Sequence, residues 1–140
     1  MILSRDELHI QLYSFGFSKS LAHLQQILPM GGHLFDCRVL PNPYWEEPCR
    51  ELTGQDKLVC QYFEERPFVQ EYIQKINALV DNLIRQAVHK QEKILILHFG
   101  CTGGQHRSVY VSERVAEYIA SQSLRHSLSH VELHKGKIRA

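Results

Sequence analysis

The chain is short of most features that would decide its class at once. No apolar run approaches the roughly 20 residues of a membrane span, so no membrane partner is expected. The N-terminal stretch MILSRDELHI carries acidic residues where a signal peptide needs an apolar core, so a cytoplasmic protein is expected. The four cysteines (Cys37, Cys49, Cys60, Cys101) form no Cys-x-x-Cys pair. That spacing supplies neither a paired zinc site nor a disulfide framework, and free thiols are expected. A formal net charge of +1 is too small for a strongly basic nucleic-acid binder. Internal repeats, low-complexity segments and linkers are also missing, so residues 1–140 read as one domain.

What is present is the composition of an ordinary globular domain, 44% hydrophobic and 22% charged. The charge is uneven. Arg125, Lys135, Lys137 and Arg139 face one acid, Glu132, across the last 16 residues, giving +3 there and −2 in the rest. A basic tail of this kind is a candidate for phosphate backbones such as RNA, and equally a solvated chain end. His126, His130 and His134 recur every fourth residue. A solvated polar face explains them better than a metal site, and neither metal nor cofactor is expected.

Apolar alternation over Glu7–Phe17 predicts a half-buried strand ending at Gly16, and Ser18–Met30 a short helix. His33–Leu40 reads as a second strand, followed by an extended Pro41–Trp45 segment set by two prolines. Thr53–Asp56 reads as a helix start, Val69–His89 as a core-facing helix with 3.6-residue apolar spacing, and Ile94–Leu97 as a strand. Ser108–Gln122 reads as a helix and Leu128–Leu133 as a last strand. The alternation predicts an α/β fold: a layered sheet of about four mainly parallel strands with helices packed on it. Ligands of such sheets sit at the carboxyl ends of strands, where Gly16, Arg38 and Cys101 fall.

The chemistry concentrates in Ile94–Ser108, ILILHFGCTGGQHRS. An apolar strand, a Gly-rich turn and a helix N-terminus form an anion cradle, because successive N–H groups and the helix dipole point at one spot. Cys101, Arg107 and Ser108 have the Cys-x5-Arg-Ser spacing of cysteine-dependent phosphatases. There a thiolate attacks phosphorus while Arg grips two oxygens. Two departures weigh against hydrolysis. Gly100 replaces the His that usually precedes the nucleophile, with His98 two residues further back, and nothing singles out Asp36 or Asp56 as general acid. The spacing therefore favours phosphate binding, with Cys101, Arg107 and Asp36 as the catalytic set of the alternative.

Four motifs in order carry a resemblance: SFGF at Ser14–Phe17, FDCRVLPNPYW at Phe35–Trp45, LTGQDK at Leu52–Lys57, and GCTGGQHRSVYVSERVAEYI from Gly100. Together they resemble the C-terminal domain of the RapZ family of P-loop proteins. The Walker A pattern of that family's N-terminal domain does not occur in this chain. The resemblance implies a regulatory domain that senses an amino-sugar phosphate, glucosamine-6-phosphate, binds small RNA and presents it to a ribonuclease. It also implies a homo-oligomer, and raises a separate P-loop partner protein. Carried over by motif, the ligand site comprises Arg38, Asn42, Tyr44, Cys101, Thr102, Gly103, Gly104, Gln105, His106, Arg107 and Ser108. Tyr44 stands where many relatives have His, and Gln105 where some have Lys.

Overall fold

A computed structural model describes residues 4–27, 29 and 31–133. Four strands, β1 (His9–Gly16), β2 (His33–Asp36), β3 (Ile94–Cys101) and β4 (Arg125–His130), form one sheet in the order β2-β3-β1-β4, every pair parallel. Among the described residues four α-helices join or cover them: α1 (Leu21–Ile27), α2 (Lys57–Glu64), α3 (Pro67–His89) and α4 (Arg107–Ser121). The α/β class and the parallel sheet follow the alternation in the sequence.

Strand periodicity divides the sheet into two unlike faces. Ile10, Leu12, Leu95, Leu97, Phe35 and Phe99 are buried on the face that carries α3 and α4, against Val69, Ile73, Ile76, Val80, Val111, Val115 and Ile119. Those helical residues recur every three or four positions, which is the reason α3 and α4 lie flat on the sheet. The opposite face carries His9, Gln11, Tyr13, Phe15 and His98, with the His23 ring of α1 in tilted or edge-on contact with the last three.

Several boundaries differ from those the sequence predicts. β2 ends at Asp36 and not at Leu40, because the chain turns there: Leu40 N–H donates to the Cys37 carbonyl. The apolar Val39 that prolonged the prediction is exposed. Residues 5–7 form a short 3-10 turn outside β1, and α1 is confined to Leu21–Ile27. β4 runs Arg125–His130, starting before Leu128, since its register is set by backbone pairing with His9–Ser14 and not by apolar content. β3 extends past Leu97 to Cys101, pairing through Gly100 and Cys101 with Phe15 and Gly16. Gly100 permits this close passage: a Cβ there would lie 2.6 Å from the rings of Phe15 and Phe17.

The central strands β1 and β3 send their next connections outward to opposite faces, through α1 and α4. A crevice therefore opens between their carboxyl ends, the position at which open α/β sheets bind ligands. Gly16 and Cys101 are partners in register at that spot.

Candidate functional site

The loop from Cys101 to Arg107 leaves β3 and enters α4 without a break. Gly104 takes φ +70°, and a Cβ there would lie 2.6 Å from the Gly16 nitrogen and 2.4 Å from the Glu132 side chain. Only glycine fits, so the loop can press against the end of β1. Two further braces hold it. Gln105 donates its side-chain amide N–H groups to the carbonyls of Arg50 and Leu52, and its backbone carbonyl accepts from Gly54 N–H at 2.9 Å. His106 Nε2 lies 2.9 Å from the Cys49 carbonyl. Burial pushes the His106 imidazole below its ordinary value, so the ring is neutral and Nε2 is the donor. Gly54 seats this segment on α4 so closely that a Cβ would meet Tyr110 N at 2.4 Å. The LTGQDK motif is thus the backing of the loop.

Cys101 is buried, with Sγ 3.1 Å from Ser108 Oγ and 3.4 Å from Ser108 N. The Ser108 hydroxyl is directed at the Phe15 carbonyl, 3.4 Å away. The sulfur therefore has two polar neighbours, the Ser108 hydroxyl and the Ser108 N–H, which donates to it. Arg107 is also buried. Its Nη1 donates to the carbonyls of Arg38 (2.9 Å) and Leu40 (3.2 Å), while Nη2 points toward Thr102 Oγ1 at 3.5 Å.

A cleft of about 230 Å³ lies over this loop. Its walls contain Asn42, Tyr44, Cys101, Thr102, Gly103, Gln105, His106 and Arg107. Asn42 accepts from Tyr44 N–H at 3.1 Å and so starts the 3-10 turn Pro43–Trp45 that presents Tyr44. Three predicted residues are positioned differently. Ser108 and Gly104 stand behind the wall. The Arg38 side chain turns away and grips Asp36 in two-pronged fashion, Nε–Oδ1 at 3.0 Å and Nη2–Oδ2 at 2.8 Å, with its guanidinium 4.0 Å over the Phe17 ring. That pair holds the Asp36 carboxyl below its ordinary value and raises Arg38. A carboxylate held ionised by a guanidinium is badly suited to donating a proton.

One wall residue is absent from the sequence-based set. Lys19 lines the cleft just after β1. Its signal is available in the sequence, because strand-end loops of parallel sheets converge and Phe17–Ser20 directly follows the strand paired with β3. Of the tail cations, Arg125 is exposed on β4, and Lys135, Lys137 and Arg139 lie outside the described residues, as does His134. His130 is bound into the fold, with Nδ1 2.6 Å from Ser14 Oγ and Nε2 2.6 Å from Glu113 Oε2. His126 Nδ1 lies 3.0 Å from the Leu124 carbonyl. Among the described residues no three His, Cys, Asp or Glu side chains converge as a metal site, the cysteines are free thiols, and no helix is long and apolar enough to cross a membrane.

The family model for the RapZ C-terminal domain matches residues 8–134, spanning β1, the loop and β4 together. The chain belongs to the RapZ C-terminal domain family. Among curated relatives, a "Nucleotide-binding protein" of Shewanella halifaxensis is 37% identical over 127 residues, covering 91% of this chain and 43% of the relative. Similarly named proteins of Shewanella putrefaciens and Shewanella baltica are each 35% identical over 131 residues, 94% of this chain and 44% of theirs. The chain therefore spans less than half the length of these curated relatives.

Proposed function

We propose that this domain is a regulatory receptor for a sugar phosphate, bound over the Cys101–Arg107 loop without chemical turnover. The reading rests on one observation above others: Thr102, Gly103 and Arg107 at the N-terminus of the 15-residue α4, together with Lys19, line a single cleft of hexose-phosphate size. Loop N–H groups, the helix dipole and two cations all favour a phosphate dianion there. Asn42 and Tyr44 supply hydrogen-bonding groups for hydroxyls. Family membership supports phosphate or nucleotide sensing in general. The amino-sugar ligand and the adaptor role, in which small RNA is held for a ribonuclease, come from the resemblance, as do assembly into a homo-oligomer and a separate P-loop partner. Titration calorimetry with hexose phosphates is expected to give saturable heat. Absence of heat with every sugar phosphate and with inorganic phosphate would end this reading. For RNA, retardation at low salt that is lost when Lys135, Lys137 and Arg139 are changed to Gln is expected, and its persistence in that variant would remove the tail from the account.

The alternative is a cysteine-dependent phosphatase. It draws on the seating of Cys101 at the head of α4, beside Ser108. Against it stands the Arg38 grip on Asp36, which leaves that carboxylate ill placed to act as a general acid. A generic aryl phosphate is expected to show zero turnover with the wild-type chain. Turnover abolished by Cys101→Ser would reverse the order of the two readings.

A further inference from the structure

Two of the four cysteines stand side by side at the end of the sheet. β2 and β3 pair in parallel as far as Asp36 with Gly100, and Cys37 N–H then donates to the Gly100 carbonyl at 2.7 Å. In a parallel ladder an N–H that reaches the carbonyl of residue 100 belongs to the residue opposite 101, so Cys37 is the lateral neighbour of Cys101. Strand alternation puts both on the face of Phe35 and Phe99, whose stacked rings have centroids 5.2 Å apart, and both are buried in the same core cluster. Neighbouring strands lie about 4.8 Å apart, within the roughly 4.4–6.8 Å between Cα atoms that a disulfide bridges. Both are free thiols here, with Cys37 Sγ directed at the Phe35 carbonyl and Cys101 Sγ at Ser108. They differ in access. Cys101 belongs to the cleft wall, whereas Cys37 is fully buried. Burial, with Cys101 and Asp36 beside it, pushes the Cys37 thiol well above its ordinary value, so an external oxidant does not take it first.

We infer that Cys101 and Cys37 form a reversible redox pair, in which a small hydroperoxide entering the cleft oxidises Cys101 and Cys37 resolves the product as a disulfide. A peroxide oxygen bonds to Cys101 Sγ as the O–O bond breaks, which gives a sulfenic acid and one water. Cys37 Sγ then attacks that sulfur. The S–S bond forms, the S–O bond breaks, and the departing hydroxyl leaves with the Cys37 proton as a second water. Two thiols thus give up two electrons and two protons, and the peroxide becomes two waters. A dithiol reverses the bridge by exchange. The bridge draws the Cys101 sulfur from Ser108 toward β2, and ties the loop to the 37–40 turn whose Arg38 and Leu40 carbonyls hold Arg107. One part rests on the receptor reading above: a phosphate seated over the loop covers the approach to Cys101 and slows its oxidation.

The test is peptide mapping of the native chain after hydrogen peroxide, with mass spectrometry under non-reducing conditions. Trypsin cuts after Lys19, Arg38, Arg50, Lys57, Lys93 and Arg107, so each cysteine falls in a peptide of its own. The expected product joins the Cys37 and Cys101 peptides with the loss of two hydrogens, disappears with dithiothreitol, and leaves Cys49 and Cys60 as thiols. In Cys37→Ala, Cys101 has no resolving partner and is expected to pass on to the sulfinic acid. Inorganic phosphate at about ten times its dissociation constant is expected to slow formation of the bridge in the wild-type chain about tenfold. Over-oxidation of Cys101 to the same extent in wild type and Cys37→Ala overturns the inference, as do bridges that join Cys49 or Cys60 as readily. Failure of phosphate to bind overturns the receptor reading and leaves the bridge standing. Bound phosphate that leaves the rate unchanged overturns the shielding.

Discussion

Arg107→Ala is expected to lower affinity for inorganic phosphate and for hexose phosphates roughly a hundredfold, the size of losing one charge-assisted, two-pronged contact. It is also expected to cost stability. The guanidinium divides its donors: Nη1 serves the carbonyls of Arg38 and Leu40, and Nη2 is directed along the cleft toward Thr102. Deleting it leaves carbonyl groups of the 37–40 turn without their donor in a part-buried place, a loss of about 2 kcal/mol. Arg107→Lys separates the two effects. A lysine keeps the positive charge but has no planar fork, so it cannot hold the turn and an anion together. Its phosphate affinity is expected to fall about tenfold, between wild type and alanine. Calorimetry gives the affinities and urea unfolding the stability. Alanine and wild type binding phosphate equally, with only stability changed, would make Arg107 a brace and nothing more.

That division of labour explains what the sequence could and could not disclose. The Cys-x5-Arg spacing is local, since strand end, turn and helix start are contiguous, and the loop was legible for that reason. Alternation over β1 and 3.6-residue spacing over α3 were legible because each element buries one side against a single partner layer. The limits of β4 are not legible in its sequence because Leu128 is its one apolar residue. Ser127 and Ser129 face the thinly covered side, His130 is buried only through Ser14 and Glu113, and pairing with β1 sets its limits. Arg38 belonged to the site by motif, yet its side chain is decided by Asp36 two residues earlier and by the Phe17 ring from another strand end. Lys19 was missed for the converse reason. It reaches the cleft from a loop distant in sequence, brought there by the pairing of Gly16 with Cys101. Pairwise tertiary contacts of this kind leave no periodic trace.

The second large effect concerns acid stability, and its source is His98. The ring lies in β3 on the face opposite α3 and α4, fully buried, stacked on Tyr13 at 5.7 Å and edge-on to His23. Among the described residues neither ring nitrogen has a hydrogen-bond partner, and Gly32 closes in so tightly that a Cβ there would lie 3.1 Å from Nε2. Burial, with the nearby His23 and His33, depresses His98 from 6.5 to about 4. The unfolded chain takes up this proton near pH 6.5, while the folded chain refuses it until about pH 4. Between those values the unfolded state binds more protons, so stability falls as pH is lowered through the window and levels off below it. The full loss is on the order of 3 kcal/mol. His98→Leu removes the titrating group together with two unpartnered polar atoms. It is expected to be as stable as wild type or more so at pH 7.5, and to lose markedly less on transfer to pH 5. A residual slope is expected in the variant, because His106 is lowered in the same direction. Asp36 and Glu113 act in the other sense: both are lowered by their partners, and their contribution is lost only as pH falls through and below the carboxylate range. Urea unfolding of both chains at pH 7.5, 6 and 5 therefore isolates the histidine part. Parallel losses in wild type and His98→Leu would show that the imidazole is solvated in the folded state, contrary to its burial.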